Sequence, residues 1–163
     1  NAGGLGGGAR PLSLWHTQEA AQETRMNTER YFIDTVFVQA LLNSRDKHHR
    51  RAKANLPRIF QARELWITEA VLIETCNALS RSNRSGAIQF FERCFSTPNV
   101  RVVEISRALL QRAFALYRSR MDKQWGLTDC ISFVVMREQG LQDALTADAH
   151  FVQAGFRALM LES

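Results

Sequence analysis

The stretch "RYFIDTVFVQALL", residues 30–42, decides the reading of the fold. It opens as a short apolar strand closed by Asp34 and passes straight into a helical segment. The same passage recurs at "LWIT" (65–68), followed by the helical "EAVLIETCNALSR" (69–81). A second helix, "SGAIQFFERCF" (85–95), is closed by Pro98, and the β-branched run "VRVVEI" (100–105) reads as a strand. Downstream, "SRALLQRAFALYRSRMDK" (106–123) is helical, with Leu110, Phe114, Tyr117 and Met121 read as its core stripe. The helix of "GLTDCISFVVM" (126–136) ends at Gly140 and gives way to "DALTA" (143–147), "DAHFVQA" (148–154) and "FRALML" (156–161). Strands alternating with helices in this way imply a parallel sheet covered by helices on both faces.

At 163 residues and 45% hydrophobic content the chain suits one domain with a real core. The first 25 residues open with a glycine-rich run and have no apolar period, so residues 1–25 are expected to be a flexible tail and residues 26–163 the domain. Met26 then reads as the natural start. Apolar runs such as "CISFVVM" fall far short of the roughly 20 residues of a membrane span, and no signal-peptide pattern occurs. A cytoplasmic protein without membrane contact is expected. Cys76, Cys94 and Cys130 are odd in number and lack C-x-x-C spacing, which excludes a disulfide framework and a thiolate zinc site and leaves reduced core thiols. The net charge of +5 favours a polyanionic partner. Seven basic side chains and the single acid Asp46 lie between Arg45 and Arg63, the most basic part of the chain.

Of only six aspartates, Asp34 closes the first strand, Asp148 follows a late strand, and Asp129 opens a helix whose face carries Gly126, Ser132, Phe133 and Met136. Glu74 shares its helix face with Ala70, Val71, Asn77 and Ala78, a mostly small or apolar surface. Taken singly, the strand-end acids also read as helix N-caps and the helix acids as rim positions. Thr128 reads as the N-cap of the Asp129 helix, and Glu69 as a helix-start residue. Asp34 and Asp148 fall beyond strand ends, where open α/β sheets bind ligands, and if all four carboxylates converge there they would repel one another unless a hard divalent cation joined them. Such a site beside a basic surface suggests metal-assisted phosphodiester hydrolysis.

These segments resemble a PIN domain, and more closely the VapC-type toxin ribonucleases of bacterial toxin–antitoxin pairs. The resemblance is carried by "YFIDT", "ITEAVLIETCNAL", "GLTDCISFVVMRE" and "ALTADAHFVQAGF", in that order between Met26 and Leu161, with the "D-x-x-H" of Asp46 and His49 opening the basic second helix. It implies a three-layer α/β/α domain with a central, mostly parallel sheet. It also implies a catalytic metal site of Asp34, Glu74, Asp129 and Asp148, with Thr146 as polar support. In that family Mg²⁺ or Mn²⁺ activates water for in-line attack on RNA, leaving a 5′-phosphate and a 3′-hydroxyl. A homodimer and a cognate antitoxin protein that blocks the site are implied as partners. No position of the acidic motif departs from the pattern.

Arg50, Arg51, Arg81 and Arg84 are candidate RNA-phosphate contacts, against the reading of a solvated helix face. His48 and His49, being adjacent, cannot form an i, i+4 metal pair, whereas His150, two residues after Asp148, is a candidate for a place near the site, against the favoured reading of a surface helix position. Trp125 and the paired Phe90 and Phe91 read as packing residues, with base stacking as the other use. Two further classes stay open. A non-catalytic RNA-binding or regulatory module would keep the fold without metal-dependent activity. A dehalogenase-like phosphohydrolase would need a second acid two residues after Asp34, where Val36 stands.

Overall fold

The computed structural model describes residues 28–163, so the segment 1–25 read above as a tail lies outside the described residues. β1 (Arg30–Ile33) leads into α1 (Thr35–Leu42), and two short helices, α2 (His49–Ala54) and α3 (Leu56–Gln61), occupy the basic stretch. β2 (Glu64–Thr68) leads into α4 (Glu69–Leu79), followed by α5 (Arg84–Ser96) and β3 (Val100–Val103). Then come α6 (Arg107–Ser119), α7 (Leu127–Glu138), β4 (Asp143–Leu145), α8 (Ala149–Gln153) and β5 (Arg157–Ala158). The strands form one sheet in the order β3-β2-β1-β4-β5, every pair parallel. Phe32 at the centre is in register with Trp66 of β2 on one side and Ala144 of β4 on the other. The chain runs outward from β1 to β2 and β3, then returns to add β4 and β5 on the other side. The C-terminal ends of β1 and β4 therefore flank a topological switch point, where open α/β sheets place their ligand crevice.

The residues at element ends account for the turns. Thr68, Asn83 and Ser106 each cap a helix by accepting a backbone N–H, from Val71, Gly86 and Leu109 at 3.2, 3.0 and 3.1 Å. Gly140 ends α7 at φ +65, where Leu141 N donates to Met136 O at 2.8 Å and Gly140 N to Arg137 O at 3.2 Å, the paired bonds of a Schellman motif. This stop turns the chain sharply into β4. In the basic stretch, Pro57 sits in the first turn of α3, where its missing N–H costs nothing and where α2 has already ended.

The core is built largely from the elements that carry the acids. Phe133 of α7 packs edge-on against Phe151 of α8 and against Trp125, each with ring centroids 5.0 Å apart, and Phe32 of β1 lies 6.2 Å from Phe151. These rings lie two to four residues from Asp34, Asp129 and Asp148, so the packing that fixes the elements also fixes the carboxylates. Trp125 is buried and donates Nε1–H to Gln153 at 3.1 Å, so packing is its use. Cys94 and Cys130 are buried, Cys76 is half-buried, and all three are free thiols.

One core reading is corrected. Leu110, Phe114, Tyr117 and Met121 are exposed by 41, 49, 46 and 87%. The buried face of α6 is instead Leu109 and Ala113, with Leu116 partly buried beside the core. Both stripes satisfy a helical period, and the choice between them is made by packing: α6 lies against α7, and a small Ala113 permits the close approach that Phe114 would block. No helix among the described residues is long and apolar enough to cross a membrane.

Candidate active site

The site forms where β1 and β4 end. Asp34 follows β1 and is buried; it caps α1 by accepting Val36 N–H at 3.4 Å, and its Oδ2 accepts the Thr146 hydroxyl at 2.7 Å. Thr146, two residues before Asp148, also accepts the Asp148 N–H at 3.0 Å. One buried hydroxyl thereby ties the carboxylate after β1 to the backbone after β4. Asp148 caps α8 by accepting His150 N–H at 2.8 Å. Asp129 sits in the first turn of α7, and its Oδ2 accepts Gly126 N–H at 2.9 Å. The N-cap of α7 is therefore Gly126, not Thr128, which lies inside the helix. An aspartate at the third helical position supplies the capping bond from within, and no side-chain cap at residue 128 is needed.

The electrostatics show the acids sharing one space. Burial pushes the Asp34 carboxyl up to about 7; the Thr146 hydrogen bond works against this, and the charges of Asp129 and Asp148 add to it. Asp129 is also raised, first by burial; its bond from Gly126 opposes the rise, Asp148 adds to it, and His150 opposes it. Among the described residues no Lys or Arg forms an ion pair with Asp34, Asp129 or Asp148.

His150, read from sequence as a surface helix position, belongs to this cluster. Its Nδ1 stands 3.2 Å from Asp129 Oδ2 and 3.4 Å from Asp148 Oδ1. Asp129, Asp148 and His150 each offer one ligand atom, all within 4.8 Å of one another, an arrangement that can hold a metal ion. The signal that can find His150 is its place two residues after a strand-end aspartate, in the first turn of a short helix that faces the crevice. Glu74 is not in this group: it is exposed on α4, a helix packed against α1 and α7, and makes no hydrogen bond or ion pair among the described residues. Glu69 on the same helix has a structural use, accepting Ile105 N–H at 2.9 Å.

The candidate RNA contacts are dispersed over α2 and the α4–α5 junction. Arg50 and Arg81 are exposed, Arg51 donates to Met160 O at 3.0 Å, and Arg84 donates to Ser80 O at 3.2 Å. Asp46 and His49 are structural: Asp46 accepts His48 N–H at 2.7 Å, and the His49 ring bonds Ala40 O at 2.8 Å, pinning α2 to α1. The donor set fits a divalent cation. Asp34 and Asp129, whose affinity for protons is raised and which no Lys or Arg among the described residues neutralises, gain most from an oxygen-preferring metal.

Comparison with known proteins gives the family and the fold. The PIN domain family matches residues 31–157. The 23S rRNA-specific endonuclease VapC20 of Mycobacterium tuberculosis, in two strains, is 30% identical over 128 residues, spanning 77% of this chain and 94% of the relative. The crystal structure of Mycobacterium tuberculosis VapC20, a sarcin-ricin loop cleaving toxin, superposes with a TM-score of 0.70 at 28% identity, over 78% of this chain and 96% of that one.

Proposed function

The chain belongs to the PIN domain family, and on that premise we propose that it is a metal-dependent endoribonuclease acting as the toxin of a toxin–antitoxin pair. The observation that carries this reading is the meeting of Asp129 with Asp148, and of Asp34 with Asp148 through Thr146, at the β1/β4 switch point, with no Lys or Arg among the described residues paired to them. Asp129 and Asp148 would hold the cation together with Asp34, and Glu74 would complete the acidic set from the exposed face of α4. The cation is Mg²⁺ or Mn²⁺; when bound it supplies an activated water and offsets charge on the leaving oxygen.

The rest of the reaction falls to the chain itself. Thr146 holds Asp34 in one orientation and fixes its distance from Asp148, a supporting role at the C-terminal edge of the sheet. Arg50, Arg51, Arg81 and Arg84 would neutralise RNA phosphates and guide the strand across the acidic crevice, which repels RNA on its own. VapC20's 23S rRNA is the substrate to try first. The protein would act in the cytoplasm as a homodimer, with a cognate antitoxin covering the site.

The test is cleavage of 23S rRNA and of a mixed RNA pool by purified protein with Mg²⁺ or Mn²⁺, with EDTA, and with Asp129→Asn in parallel. Cleavage that requires metal and is lost in the variant supports the proposal. Cleavage that persists in EDTA refutes the metal mechanism, and folded, antitoxin-free protein that cleaves nothing is a binding module.

A further inference from the structure

His150 has a place in the cluster that the acidic motif does not assign. Its Nδ1 lies 3.2 Å from one oxygen of Asp129 and 3.4 Å from one oxygen of Asp148. Three such atoms cannot all present lone pairs to one another. Either Nδ1 carries a proton that both carboxylates share, or a cation stands where that proton would be. The ligand atoms of Asp129, Asp148 and His150 all lie within 4.8 Å of one another, close enough for one cation to be shared by all three. The imidazole is also held for this task. The His150 N–H is bonded to Asp148 Oδ1 at 2.8 Å, and the neighbouring Phe151 is fully buried against Phe133 and Phe32, so the backbone beneath the ring is fixed.

Resting on the reading of this crevice as a metal centre, we infer that His150 Nδ1 is a direct ligand of the cation and biases the site towards Mn²⁺ over Mg²⁺. Oxygen donors alone serve both ions. An imidazole nitrogen is a softer donor that favours first-row transition metals, whereas Mg²⁺ holds to oxygen and keeps its waters. A carboxylate pair with one imidazole therefore discriminates where an all-carboxylate site does not. Asp34, held by the Thr146 hydroxyl, remains the third carboxylate of the proposed set.

The experiment reads binding, not activity. Mn²⁺ bound to the wild-type protein is examined by electron spin-echo spectroscopy for ¹⁴N modulation, and Mn²⁺ and Mg²⁺ affinities are measured for wild type and His150→Gln, with circular dichroism to confirm folding. Direct nitrogen coordination predicts ¹⁴N modulation in the wild type that vanishes in the variant. It also predicts a loss of Mn²⁺ affinity of about tenfold or more, with Mg²⁺ affinity changed by less than about threefold. Bound Mn²⁺ without ¹⁴N modulation overturns the inference, as does an equal loss for both ions, which would make His150 a hydrogen-bonding support of the two acids. The wild-type spectrum decides even if the variant fails to fold. Failure of the wild type to bind Mn²⁺ at all would sink the metal-centre reading itself, a result distinct from nitrogen-free binding.

Discussion

Asp34→Asn offers the sharpest test of the site's electrostatics. The carboxyl is buried and its pKa stands at about 7, against about 3.9 for an aspartate in an unfolded chain. The direction of the effect follows from linkage. The ionised form is disfavoured in the fold, so the penalty is absent below about pH 4, grows between the two values, and is constant above about pH 8. About three pH units at about 1.4 kcal/mol each give about 4 kcal/mol of stability withheld from the metal-free protein at alkaline pH. Asparagine is neutral throughout, still caps α1, and its amide oxygen can still accept the Thr146 hydroxyl, so the substitution removes the charge and little else. For a domain of this size about 2–4 °C accompanies each kcal/mol, so the metal-free variant should melt about 10 °C above wild type at pH 8 and within a degree or two of it at about pH 3. Adding Mn²⁺ or Mg²⁺ should raise the wild-type melting temperature more than the variant's, because only the wild type regains a favourable partner for the charge. Thermal unfolding followed by circular dichroism across this pH range, in EDTA and in metal, is the assay. A pH-independent difference, or a variant less stable than wild type at pH 8, would refute the claim that a buried, uncompensated carboxylate defines the site.

Asp148→Asn and Asp148→Ala should both abolish RNA cleavage, yet the alanine variant should be about 1 kcal/mol less stable in denaturant titrations, since asparagine keeps the cap of α8 and alanine loses it. Equal stabilities would show the cap to be idle. Phe133→Ala removes the ring that joins Trp125, Phe151 and Phe156 and should cost about 3–5 kcal/mol of unfolding free energy; a loss under about 1 kcal/mol would mean that the aromatic cluster does not fix the acids. Replacing Arg50 and Arg51 by Gln should weaken RNA binding and reduce the slope of log affinity against log salt by about one to two. An unchanged slope would remove α2 from the RNA surface. Gly140→Ala places a Cβ in open space at φ +65, so its cost is conformational strain alone, about 1 kcal/mol in unfolding free energy with metal affinity unchanged.

What was legible in the sequence follows the range of the interactions concerned. The strand, acid and helix of residues 30–42, and its repeat at residues 64–79, were readable because apolar runs and cap residues act over a few positions. The parallel pairing of the sheet followed from the alternation of elements, and the expected crevice from Asp34 and Asp148 at strand ends, while the strand order with its switch between β1 and β4 is seen only in the fold. The buried face of α6 was not readable, because Leu109-Ala113 and Leu110-Phe114 have the same period and only the neighbouring α7 distinguishes them. The cap at Gly126 escaped because glycine has no capping side chain; its extended backbone and the reach of Asp129 make the N-terminus. His150 could be brought near the site only by its place two residues after Asp148; its contact with Asp129, 21 residues away, exists only once α7 and α8 are packed. β5 spans two residues, too few for any periodic signal.

The helix-cap reading of Asp34 and Asp148 is compatible with the metal ligation proposed for them, and Asp129, read from sequence as a rim acid or a ligand, caps a helix as well. Asp34 and Asp148 accept the N–H groups of α1 and α8, and Asp129 accepts the N–H that precedes α7. Each carboxylate thus stands at the partly positive end of a helix, which favours its ionised form by a fraction of a kcal/mol to about 1 kcal/mol. This compensation is partial, as the raised pKa values of Asp34 and Asp129 show. An arginine in the same place would neutralise the cluster fully and compete with a cation for the same oxygens. Helix ends hold the acids in position while leaving most of their charge unanswered. Local capping chemistry, which alone would explain each aspartate, is therefore also the means by which three of them are brought to one crevice, where the proposed function would use them on a divalent ion.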